Sequence, residues 1–154
     1  MLDLWPADIG TAAVTTPVTI LKEQATALGN KTKNIVEGEV TPATSETSEK
    51  FAYAFNIVGP ALGGYRYRLL TIRYPVDEFY PVEILVEPEI LRHVPQEFRA
   101  RLADEPVAGR EFARLAGANA SAKDKEQFER VLKSVFNAPK TLHVIQAIIA
   151  HSTT

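Results

Sequence analysis

An N-terminal helix, a four-stranded antiparallel meander and a run of C-terminal helices make up the α+β fold that this sequence predicts. Apolar residues recur at spacings of three and four between Thr16 and Leu28. They then alternate between Ile35 and Val86, and return to a period of about three and a half after Pro88. The connections between the alternating runs are too short for crossover helices, so sequential strands must pair antiparallel. At 154 residues the chain reads as a single domain, 1–154, long enough to bury a core without staples.

Residues 1–15 show no usable period and are expected as an irregular strap in which Trp5-Pro6 packs. Thr16 is placed as an N-cap, Pro17 fits the first helical position, and Gly29-Asn30 supplies the stop. Val18, Leu21, Ala25 and Leu28 share one face of that helix, which leaves Lys22, Glu23 and Thr26 pointing outward. Ile35 to Val40 reads as a short strand, with Val36, Gly38 and Val40 on one side and Glu37 and Glu39 on the other. Residues 41–50 are polar and are expected as a mobile hairpin loop. Phe51 to Val58 alternates Phe51, Tyr53, Phe55 and Ile57 against smaller residues, the pattern of a half-buried strand. The stretch from Gly59 to Gly64 is a turn: it has no phosphate-loop spacing and opens no helix. Tyr65 to Tyr74 and Val82 to Val86 complete the meander.

Beyond Pro88, Pro95 opens a short helix that buries Phe98 and Leu102, and a second carries Phe112 and Leu115 before Gly117. Ser121 with Asp124 three residues on is a capping signature for a third helix. Its apolar stripe is Phe128, Val131, Leu132, Val135 and Phe136, and Pro139 ends it. The last helix, Leu142 to His151, carries Leu142, Ile145, Ile148 and Ile149.

A net charge of −2 argues against a dedicated nucleic-acid binder. No apolar run approaches the length of a membrane span. The first residues are acidic and show no basic patch followed by an apolar stretch, so no secretory signal is expected. With no cysteine, disulfides and thiolate metal sites are impossible, which is consistent with a reducing cytoplasm. No cofactor is expected. Between Ala61 and Arg114 all eight Lys-or-Arg positions are Arg, set among nine acids, a composition suited to internal ion pairing.

The punctuation of the meander resembles the ubiquitin-conjugating-enzyme-like superfamily, which includes the RWD domains. Gly59-Pro60 sits where those enzymes end their second strand. Leu69, Leu70, Thr71 and Ile72 followed by Tyr74-Pro75 look like the third strand and its aromatic-Pro exit. Tyr80-Pro81 before Val82 to Val86 looks like the Pro-opened fourth strand, with one proline where the family has two. Each proline fixes φ and removes a donor where a strand enters or leaves the sheet. The family works through a cysteine thiolate, and this chain has none. Its His-Pro-Asn segment has only an echo here, from Arg92 and His93 to Gln96. The resemblance therefore implies a non-catalytic member, an adaptor that binds another protein in a larger assembly. It also implies docking on the first helix and the neighbouring loops, which singles out Lys22, Glu23 and Thr26 together with Tyr74, Phe79 and Tyr80. Those three aromatics are either exposed anchors or residues that close the end of the core.

Other candidates weigh less. His93 lacks a nucleophile or acid partner nearby, so a local structural role is favoured over general-base work. His143 and His151 are eight residues apart, too far for one metal on a helix. Asp77, Glu78, Glu83, Glu87 and Glu89 form an acidic cluster around the fourth strand. Arg66 and Arg68 on the preceding strand are expected to pair with it. A small immunity, antitoxin or inhibitor protein that masks a partner through this acidic face is the alternative reading, and an enzyme using His93 is the third. Tyr65 and Tyr67 alternate with Arg66 and Arg68 and so point to opposite faces, which argues against a stacking surface for single-stranded nucleic acid. The oligomeric state has no signature in the sequence.

Overall fold

The computed structural model describes residues 1–10, 15–43, 50–99 and 118–154. Helix α1 spans Pro17–Lys31, and the Thr16 side chain accepts the Thr19 amide at its start. It runs past the expected stop. Gly29 lies inside the last turn, and the chain leaves through Lys33 and Asn34, both at positive φ. The Asn34 amide donates to Gly29 O at 2.8 Å and the Lys33 amide to Asn30 O, a Schellman closure built without glycine at the left-handed position. Pro17, Ile20 and Leu21 are buried, whereas Val18, Ala25 and Leu28 are half-buried, so the helix turns its stripe slightly from the expected one.

Five strands follow in sheet order β1-β2-β3-β4-β5, all antiparallel. They are β1 (Glu37–Pro42), β2 (Lys50–Gly59), β3 (Tyr65–Pro75), β4 (Val82–Val86) and β5 (Ala118–Ala122). The loop expected over 41–50 is shorter at both ends: Thr41 and Pro42 belong to β1 and Lys50 to β2, and 44–49 lie outside the described residues. A 3₁₀ turn at Pro60–Leu62, closed by Gly63 and Gly64 at positive φ, joins β2 to β3.

The fifth strand departs from the expected four. Ala118–Ala122 pairs residue by residue with β4, from Val86 opposite Ala118 to Val82 opposite Ala122. Its small residues carry little strand propensity, and pairing with β4 overrides that. Ser121 therefore belongs to the strand, and Asp124 alone caps the next helix, accepting the Gln127 amide at 2.8 Å. That helix, α3 (Lys125–Phe136), which follows a short α2 (Pro88–Leu91) in chain order, buries Phe128, Val131, Leu132 and Val135 as expected. Pro139 opens α4 (Pro139–Ser152). Pro95 precedes a single 3₁₀ turn, Gln96–Phe98, that buries Phe98. Leu102 and the helix expected around Phe112 and Leu115 lie outside the described residues.

All the long helices sit on one side of the sheet. On that side Ile57, Ile72, Val82 and Ile84 are fully buried. The register between β2 and β3 steps at Phe55/Asn56: Phe55 faces Leu70 while Asn56 faces Arg68, which leaves Leu69 as the extra residue of a bulge. Leu69 and Leu70 are thereby both buried, and Arg66, Arg68, Thr71 and Arg73 share the opposite face despite their mixed parity. Gly38 allows α1 to settle on β1. A Cβ there would meet Ala25 Cα at 2.5 Å. Trp5, expected to strap the core, stands 75% exposed.

Candidate functional site

Three long helices lie over a five-stranded sheet about 20 Å across, with α4 contacting β2. Helix α1 packs on β1 and β2, and α3 packs on β5. Between them, over β2 and β3, an apolar cleft of about 510 Å³ remains. Its floor is Phe55, Ile57 and Leu69. One wall comes from α1, through Ile20, Ala27 and Leu28; the other from α3, through Leu132 and Phe136. Phe136 leans over Phe55 with ring centroids 5.5 Å apart, and Leu142 of α4, 41% exposed, stands at the end. Four charged residues line it as well: Glu23 and Lys31 from α1, Glu129 and Lys133 from α3. Glu129 lies 3.9 Å from Lys125, while Lys31 and Lys133 make no ion pair among the described residues. An open apolar cleft with a few charges at its margin can hold an apolar side chain or short segment and fix its direction.

Of the residues expected at a docking surface, Lys22, Glu23 and Thr26 are exposed on α1, and Glu23 lines the cleft. The three aromatics behave differently. Tyr74 is 2% exposed, stacked on Tyr53 at 6.3 Å and edge-on to Phe51 at 5.9 Å. It is a core residue, not an anchor. Burial pushes its hydroxyl up to about 12, with Tyr53 adding to the shift and the Val18 backbone opposing it. Phe79 and Tyr80 are half-buried against the core, with Phe79 at φ 69°. Desolvation raises the Tyr80 hydroxyl pKa, and Glu129 and Asp124 add to it, so this ring lies toward the start of α3. None of the three lines the cleft.

Of the acidic cluster only Glu83 is ion-paired among the described residues, and not with the expected partners. Arg66 grips Glu39 of β1 with two bonds of 2.9 and 3.1 Å, and Asn56 reaches Glu39 and Thr41 from between them. The Arg66 hydrogen bond holds the Glu39 carboxyl below its usual range. Glu83 instead takes Arg73 at 2.6 Å and Lys50 at 3.5 Å. The reason is strand length: β4 pairs only with Thr71 to Arg73, so Arg66 and Arg68 extend beyond its end and Arg66 turns to β1. Glu87 accepts the Tyr67 hydroxyl at 2.8 Å; burial first, then this bond, raises the Tyr67 pKa. His93 is exposed in a turn away from the cleft, its amide donating to Ile90 O at 3.0 Å. His151 Nδ1 lies 2.8 Å from Ala147 O, an intrahelical contact. Among the described residues no group of three or more His, Asp or Glu could hold a metal ion, and no helix is long and apolar enough to cross a membrane.

The cleft itself was not legible in the sequence. Leu28 and Phe136 read as the buried faces of their helices, and nothing local says that the two faces stand apart. No protein-family model, curated protein or solved structure matches the chain.

Proposed function

We propose that this chain is a non-enzymatic protein-interaction adaptor of the ubiquitin-conjugating-enzyme-like kind, working in a larger protein assembly in the cytoplasm. It receives another protein along α1. The observation that carries this reading is the apolar cleft beside α1, whose rim includes Glu23. A partner helix or short apolar segment laid between two helices is a recurrent mode of recognition, with a few side chains as anchors. The absence of cysteine supports a binding role over thioester chemistry. The alternative, an inhibitor acting through an acidic sheet face, loses Glu83 to Arg73 and Lys50 and keeps Asp77, Glu78 and Glu89, which are exposed and make no ion pair among the described residues.

The test compares wild type with Ala27→Arg, which places a long charged side chain in the cleft wall. Affinity capture followed by mass spectrometry identifies a bound protein, and the affinity of that protein for both forms is then measured. A loss of about tenfold or more, equivalent to about 1.4 kcal/mol, with an unchanged melting profile supports the cleft as the docking site. Equal affinity for both forms overturns it.

A further inference from the structure

Residues 1–10 carry a second unsatisfied apolar surface. Leu2, Leu4, Trp5 and Ile9 are each at least 75% exposed. We infer that this segment of a second copy of the chain docks in the α1/α3 cleft, so that two copies exchange segments reciprocally. This rests on the reading of the cleft as a protein-docking site and names its occupant.

Three features match the segment to the cleft. Trp5 is a large aromatic of the kind that buries about 150–250 Å² when enclosed, and tryptophan is the residue type most often found as a binding anchor. The cleft's volume of about 510 Å³ suits a few such side chains, and its walls of Ile20, Leu28, Leu132 and Phe136 are apolar. Charge agrees: Asp3 and Asp8 bracket the apolar run from Leu4 to Ala7, and Lys31 and Lys133 stand at the rim without an ion pair among the described residues. Glu23 and Glu129 share that rim, so Asp3 and Asp8 are favoured beside the two lysines and disfavoured beside the two glutamates.

The segment is also shaped in advance. The Trp5 amide donates to Asp3 Oδ1 at 3.0 Å and the Gly10 amide to Asp8 Oδ1 at 2.8 Å. These are Asx turns, and with Pro6 between them they lower the cost of ordering the segment on binding. In the single chain the apolar side chains of the segment are exposed, and a second copy offers them the same cleft. A two-fold exchange fills both clefts at once, as a self-complementary interface requires.

Trp5 is the only tryptophan, so its fluorescence reports the segment alone. The full chain is diluted over about three decades while emission wavelength and mass by light scattering are followed. The expected result is a monomer with solvent-like emission at low concentration and a dimer with blue-shifted emission at high concentration. Ala27→Arg in the cleft, or Leu4→Asp in the segment, should each weaken the dimer about tenfold or more. Because residue 4 lies off the core, Leu4→Asp remains informative even if the cleft variant unfolds. Mixing the two variants should restore association, since the intact segment of one meets the intact cleft of the other. Emission that is blue-shifted at every concentration in a monomer means intramolecular docking and overturns the inference. So does a dimer that survives Leu4→Asp, or a chain that stays monomeric with solvent-like emission. In the last case the cleft's heterologous docking role is judged separately by the affinity-capture comparison.

Discussion

On the helix side of the sheet Ile57, Ile72, Val82 and Ile84 are fully buried beneath α1 and α3. On the opposite side the middle of β2 is Ala52, Ala54, Asn56 and Val58, equally buried but flanked in register by Thr41, Glu39, Thr71 and Arg73. The first face excludes water with apolar volume. The second is built of small residues between long charged ones, whose carboxylates are matched across strands by Arg66, Arg73 and Lys50. Apolar packing is large in free energy and nearly indifferent to salt and pH. Partly exposed ion pairs are small in free energy and sensitive to both. The helix side therefore supplies stability, and the other side contributes register.

The comparison is broken most directly at Ile84. Ile84→Ala should cost about 2–5 kcal/mol in urea unfolding, by the same amount at low and high salt. An effect below about 1 kcal/mol would mean that the helix side is loosely packed. Next in size is Gly38→Ala, which sets a methyl against Ala25 and forces α1 to shift; it should cost about 1–3 kcal/mol. On the other face, Arg73→Met leaves Glu83 with Lys50 alone and should cost about 1 kcal/mol, shrinking as salt is raised.

Smaller still is Glu39→Gln, expected to cost about 0.5 kcal/mol or less near neutral pH because the pair is partly exposed. Its pH dependence has a definite sign. The folded pKa of Glu39 is depressed by Arg66, so its contribution is present above the unfolded carboxylate pKa and is lost as pH falls through the folded value. Wild type and Glu39→Gln should therefore converge in stability in acid. The smallest expected change is at Lys22→Glu, on the exposed side of α1, within about 0.5 kcal/mol of wild type by thermal melting. A larger loss would show that α1 is less free on that side than its exposure indicates.

The two faces also differ in how far they could be read in advance. Alternation along Phe51 to Val58 separated Phe55 and Ile57 from the residues between them, and the opposite faces of Tyr67 and Arg66 followed from parity. Phe51 is nonetheless exposed and Val58 buried: from Ala54 to Gly59 every residue of β2 is buried, whichever face it occupies. The pairing of Arg66 was misassigned, since it depends on how far β4 extends rather than on which strand precedes it. Tyr74 and Tyr80 looked alike in the sequence, yet one is enclosed by Phe51 and Tyr53 and the other is only half covered.

Helix starts, strand faces and the antiparallel order were set by local chemistry: Thr16 and Asp124 satisfy nearby amides, prolines end pairing, and short connections leave no other topology. Such terms act within a few residues, so the chain itself carries them. The fifth strand and the cleft were decided by tertiary structure. Ala118–Ala122 is a strand only because β4 offers an open edge. The cleft lies where the apolar stripes of α1 and α3, each of which reads as core, stand apart over β2 and β3. Both depend on distances between segments far apart in the chain, which no local pattern encodes.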